Sequence, residues 1–133
     1  MNTNSKYIKV ECAEDCGNSP KKQLLKELTI AFANNDIDFC MECMSDNIVW
    51  DMIGNKKIQG ISEFEEALRV MDNGDIQELQ IHNIITHGNV GSVNGTLILN
   101  NQQQIHFCDV YNFSGFGKKA KIKLITSYVV RPT

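Results

Sequence analysis

The sequence predicts an α+β domain, with helices first and an antiparallel sheet after them. Two observations carry this. Residues 19–71 hold three runs of apolar residues at helical spacing, each behind capping or turn residues. Residues 76–130 read as four long strands separated by short turns. Long consecutive strands with short turns form an antiparallel meander, and separating helices from strands argues α+β over α/β. At 133 residues the chain is the size of one domain with its own core.

Residues 1–18 are polar, with one short alternating patch, Tyr7-Ile8-Lys9-Val10. They are either a tail or an added edge strand, and the single folded domain spans 19–133. Ser19-Pro20 opens the first helix, with serine as N-cap and proline at the first helical position. Leu24, Leu25, Leu28, Ala31 and Phe32 then make one buried stripe, and Asn34-Asn35 ends it. Asp36 caps a short second helix expected to reach Met44, burying Ile37, Cys40, Met41 and Met44. Ile48 to Met52 is a short strand, Ile53-Gly54-Asn55 a turn, and Lys56 to Gln59 a brief strand. Ser62-Glu63-Phe64-Glu65 reads as a capping box, opening a third helix to about Met71 with Phe64, Ala67, Leu68 and Met71 inward. Asp72-Asn73-Gly74 stops it. Strands follow over Ile76–Thr86, Val90–Leu99, Gln104–Phe113 and Lys121–Val130.

Composition narrows the function classes. The formal net charge is -3, with no block of Lys or Arg. Lys118, Lys119, Lys121 and Lys123 flank a predicted hairpin turn and read as solvated. Nucleic-acid binding, which depends on phosphate neutralisation, is not expected. No apolar run has the length of a membrane span, and the N-terminus lacks the apolar segment of a secretion signal, so a cytoplasmic protein is expected. Five cysteines is an odd number, and a chain this long does not need disulfides to fold. Cys40-Met-Glu-Cys43 with Cys12 and Cys16 could offer four thiolates to zinc. Cys40 fits the buried stripe, however, and the other two lie in a poorly patterned tail, so no metal and no cofactor are expected. His82, His87 and His106 lack metal-ligand spacing and read as satisfied or exposed.

Two carboxylates stand out because each sits among residues otherwise read as core. Asp51 centres the stretch from Asp46 to Gly60, DNIVWDMIGNKKIQG, and Asp109 lies in the strand Asp109-Val-Tyr-Asn-Phe113. A buried carboxylate is costly unless it is hydrogen-bonded, paired or neutral. Two such groups in a small domain therefore suggest an acid–base pocket. Alternation places Ile105, Phe107, Tyr111 and Phe113 on the face of Asp109. It places Trp50 opposite Asp51, reading Trp50 as packing or interface.

These stretches resemble the nuclear-transport-factor-2-like (NTF2-like) superfamily, the α+β cone that includes SnoaL-like polyketide cyclases and ketosteroid isomerases. Asp51-Met-Ile-Gly54 followed by Gly60 resembles the isomerases' D-P-V-G…G segment. Asp109-Val-Tyr-Asn-Phe113 resembles their D-V-M-R-F strand, and the run from Lys121 to Tyr128 their last strand. The resemblance covers roughly residues 21–130. It implies three N-terminal helices over a curved, mainly antiparallel sheet, with Asp51 as general base and Asp109 as a protonated oxyanion-hole donor. It also implies a small apolar ligand in the cone, contacted by Tyr111, Phe107, Met52, Phe64, Leu68 and Leu28, and a homodimer built sheet to sheet. The chain departs from the isomerase pattern at three places. The first-helix tyrosine falls near Leu28, a supporting tyrosine near Leu68, and the proline after the base is Met52. Leucine cannot donate a hydrogen bond to an enolate, which leaves Tyr111 as the replacement donor. Two functions thus stay open: a cofactor-independent enzyme acting on an apolar carbonyl compound, or a non-catalytic ligand-binding or dimerisation domain.

Overall fold

The computed structural model describes residues 8–12, 19–71, 74–117 and 119–132. Helix α1 spans Pro20–Asn34. The Ser19 hydroxyl accepts from the Lys22 amide at 3.3 Å, and Asn35 closes the helix in the left-handed region at φ 59°. Helix α2, Ile37–Glu42, starts on the Asp36 carboxylate, which accepts from the Phe39 amide at 3.3 Å. It is shorter than expected. Met44 is not helical but opens strand β2, Met44–Met52, and pairs with Ile122. Strand β3 is Lys57–Gln59, and helix α3 is Ile61–Val70.

The cap of α3 also differs from expectation. Gly60, at φ 92°, occupies the N-cap, a conformation that a side chain would strain. Ser62 lies inside the first turn. Glu63 reaches back to the Gln59 amide at 3.0 Å, while Glu65, the glutamate of the expected box, accepts from Arg69 instead. Of the expected stop signal Asp72-Asn73-Gly74, the first two residues lie outside the described residues.

Strands β4 (Ile76–His87), β5 (Val90–Leu99), β6 (Gln104–Phe113) and β7 (Ile122–Val130) form the expected antiparallel meander. The patch in the polar N-terminal segment does add an edge. Strand β1, Lys9–Cys12, pairs parallel with β4. The remainder of residues 1–18 lies outside the described residues, apart from Ile8. The full order is β1-β4-β5-β6-β7-β2-β3, with β2 parallel to β7.

The helices cover one face of this sheet. Leu25 and Leu28 of α1 and Phe64 and Leu68 of α3 are buried against Ile48, Leu79, Val93 and Phe113. An aromatic trio joins three elements: Phe32 and Phe64 each stand near Trp50, with ring centroids 5.5 Å apart. Trp50 is therefore a core residue on the helix side of the sheet, not an outward-facing one. Among the described residues, no helix covers the opposite face. There His82 Nε2 and His106 Nδ1 lie 3.1 and 3.0 Å from the Thr96 hydroxyl. Cys40 and Cys43 are free and buried, and burial pushes their thiols up to about 12 and about 11, so both stay protonated. Cys12 is disulfide-bonded. Among the described residues, no helix is long and apolar enough to cross a membrane.

Candidate functional site

Between the helices and the sheet lies a pocket of about 530 Å³. This is ample for a small organic ligand, since such sites commonly span a few hundred cubic ångströms. Its walls are mainly apolar: Phe32 and Ala33 from α1, Met52 from β2, Leu79 and Leu97 from β4 and β5, and Phe107 and Ile125 from β6 and β7. The rim carries Ile53, Asn55, Val129 and Arg131. The exposure of Ile53 and Val129, 48% and 52%, shows that this end meets solvent.

Asp109 is the one carboxylate among the described lining residues. It sits mid-strand on β6, opposite Val93 on one side and Ser127 on the other. Burial pushes its pKa up to about 6, and a hydrogen bond from Ser127 partly offsets that rise. Ser127 in turn accepts from Trp50 Nε1 at 2.9 Å. Trp50, Ser127 and Asp109 thus form a chain running from the aromatic trio into the pocket.

Tyr111, two residues on, also lines the pocket and is fully buried. Burial, and then the nearby Asp109 charge, push its phenol well above the ordinary value. The neighbouring Thr29 hydroxyl, which donates to the Leu25 carbonyl at 2.7 Å, partly lowers it again. Tyr111 therefore presents a neutral phenol to the pocket wall.

The two aspartates do not meet. Trp50 and Met52 line the pocket, and Asp51 between them does not. Alternation turns Asp51 to the other face, where its register partners are Lys57 and Thr126. Three further expected ligand contacts, Leu28, Phe64 and Leu68, are buried in the core and do not line the pocket. Asp109, Tyr111, Phe107 and Met52 do line it. Sequence reasoning missed Trp50, Ser127, Thr29, Asn55 and Arg131. The signal for Trp50 was present: Ile48, Trp50 and Met52 form the period-two apolar set of β2. Among the described residues, no group of three or more His, Cys, Asp or Glu could hold a metal ion.

No family model matches the sequence, and no curated protein matches it significantly. Solved structures do. An NTF2-like protein of unknown function from Burkholderia xenovorans LB400 superposes with a TM-score of 0.70 at 19% identity, over 86% of this chain and 85% of that one. The fold is the NTF2-like α+β cone. Two further similar structures carry named activities. One is the epoxide hydrolase/cyclase-like enzyme SalBIII of salinomycin pyran-ring formation, with a TM-score of 0.65 at 14% identity, over 83% of this chain and 90% of that one. The other is an LEH-like epoxide hydrolase of M. tuberculosis, with a TM-score of 0.60 at 23% identity, over 81% of this chain and 80% of that one.

Proposed function

We propose that this NTF2-like chain is a small enzyme that moves a proton next to the carbonyl of an apolar compound, with Asp109 as general base. The observation that supports this reading is a lone carboxylate in an apolar pocket, raised by burial to about 6. A base is most effective when its pKa lies near the working pH. At neutral pH Asp109 is ionised, yet it is a stronger base than an exposed aspartate. It removes the proton from the carbon next to the carbonyl, and the electron pair passes to the carbonyl oxygen. The proton then returns from Asp109 to that carbon or to a conjugated one. Asn55 and Arg131 make no side-chain hydrogen bond among the described residues, so their donors are free to meet the developing oxyanion. This role for Asp109 replaces the neutral-donor role that the ketosteroid isomerase resemblance implies. That SalBIII and the mycobacterial hydrolase share the fold is consistent with acid–base chemistry in such a pocket.

The test is exchange in heavy water. Wild-type protein, incubated with a panel of apolar cyclic ketones, should accelerate deuterium incorporation next to the carbonyl, read by proton NMR. Asp109→Asn should lower that rate by about 10²–10⁴-fold, the usual worth of a positioned base. An Asp109→Asn protein that exchanges as fast as wild type would sink the assignment. One observation favours a second reading, a non-catalytic binding domain: the site of the isomerases' helix tyrosine is the buried Leu28, so that donor is missing. Ketones that quench Trp50 emission without undergoing exchange would select it.

A further inference from the structure

The geometry points to Ser127 and Trp50 as positioning residues for Asp109. The Trp50 indole fixes the Ser127 hydroxyl so that its proton lies on one carboxylate oxygen, leaving the other oxygen to face the pocket. The inference rests on the reading of Asp109 as base and explains how that base is held ionised and aimed.

The direction of each bond follows from the chemistry of the groups. An indole N–H only donates. At 2.9 Å from Trp50 Nε1, Ser127 Oγ is therefore the acceptor. A serine hydroxyl has one proton, and we place it on the cross-strand partner Asp109, which lines the same pocket wall. Trp50 and Ser127 are 7% and 8% exposed, so water competes weakly for either bond. Trp50 is itself packed by Phe32 and Phe64, each with its ring centroid 5.5 Å away. Direct cross-strand pairing of Asp109 with Ser127 brings the two side chains together without a flexible linker.

This chain discriminates between the two forms of Asp109. The carboxylate accepts the Ser127 proton. A neutral carboxyl protonated on that oxygen would compete with Ser127 for the donor role, and the serine proton would need another acceptor. The relay therefore favours the ionised base while burial disfavours it.

Among the described lining residues, those from α1, β2, β4, β5 and β7, and Met71 after α3, carry no ionisable group, and Arg131 follows β7 at the rim. Tyr111 stays neutral between about pH 4 and pH 8. Behind Tyr111, Cys40 and Cys43 stay protonated.

The experiment follows the Asp109 carboxyl carbon by NMR through a pH titration, in wild type and in Ser127→Ala, Ser127→Thr and Trp50→Phe. Losing a hydrogen bond to the charged form should raise the Ser127→Ala midpoint by about one pH unit. Ser127→Thr, which keeps the hydroxyl, should titrate like wild type. Trp50→Phe keeps a ring in the aromatic trio and removes only the donor, so its midpoint should rise by less. Trp50 is the only tryptophan of the chain. Its emission in wild type should therefore shift with the Asp109 midpoint, and Asp109→Asn should abolish that shift. An unchanged midpoint in Ser127→Ala overturns the inference; should that variant not fold, an unchanged midpoint in Trp50→Phe does so. An emission titration that survives in Asp109→Asn also overturns it. No substrate is needed. A raised midpoint in a protein without exchange activity leaves the relay standing and removes the base role. Exchange activity with an unmoved midpoint removes the relay alone.

Discussion

Asp109 is held ionised at neutral pH at a cost to the fold. Its pKa is raised in the folded state, to about 6. The folded protein therefore binds its proton more tightly than the unfolded chain does. Stability from this group is fully present below the unfolded value, near pH 4, and is lost as pH rises to about 6. A shift of about two units corresponds to about 3 kcal/mol. We expect Asp109→Asn to be more stable than wild type at pH 8, by about 2 kcal/mol once its imperfect replacement of the hydrogen bond is allowed for. The advantage should vanish at pH 4. Urea unfolding at the two pH values measures it, and an equal difference at both would mean that the shift is absent. Asp109 was legible in the sequence because a carboxylate inside Phe107-Cys-Asp-Val-Tyr111 breaks an otherwise core-like strand. Asp51 looked similar but is not, because facing is decided by the larger neighbour. Trp50 takes the inner position opposite Ile125, and alternation turns Asp51 away. Ser127 left little trace, since one small polar residue in a strand reads as ordinary alternation until its cross-strand partner is known.

At the scale of elements, the pocket depends on close approaches between backbone and neighbours. A Cβ on Gly95 of β5 would stand 2.1 Å from the Gln80 carbonyl oxygen and 2.9 Å from the Phe107 ring. The carbonyl is backbone and cannot step aside. Gly95 lies beside the register shift between Ile81 and Asn83, and it leaves room for Phe107, which forms part of the pocket wall. Gly95→Ala should destabilise the domain by about 1–3 kcal/mol or more, as overpacking does. Gly117→Ala, whose Cβ would meet nothing within 4 Å, should be silent in the same thermal-unfolding comparison. A silent Gly95→Ala would mean that β4 can shift freely. Helix ends were readable where local chemistry decides them. Ser19 and Pro20 start α1, and Asn35 ends it, as the sequence implies. They were not readable where a distant partner decides. Met44 leaves the helix because it pairs with Ile122, far along the chain, and Gly60 takes the cap of α3 through backbone freedom that Ser62 lacks.

For the whole molecule, the meander β4 to β7 was legible because each turn is local, whereas the two parallel pairings were not. Pairing β2 with β7 and β1 with β4 joins segments remote in sequence, and no short-range signal records it. Those pairings matter, since β2 brings Trp50 to Ser127 and closes the pocket on that side. They also widen the sheet to seven strands, leaving its outer face uncovered by the helices. Along the middle of β4 to β7 that face presents Ile85, Asn94, Cys108, Val110, Thr126 and Tyr128, none of them Asp, Glu, Lys or Arg. Ile85, Tyr128 and Val130 are 63%, 47% and 60% exposed. Apolar groups on a broad, uncharged, slightly twisted surface are suited to burial against another such surface. We therefore propose that two copies pair through this face about a two-fold axis, which makes one patch complementary to itself. A stable pairing should bury at least about 1,000 Å² in total. Light scattering at micromolar concentration should give twice the chain mass. Tyr128→Glu should return it to the monomer, because two desolvated carboxylates near the axis repel. Neither Tyr128 nor its neighbours on this face line the pocket, so the monomer should keep the wild-type Asp109 titration. A wild-type protein of single-chain mass would reject the pairing and leave the pocket chemistry untouched.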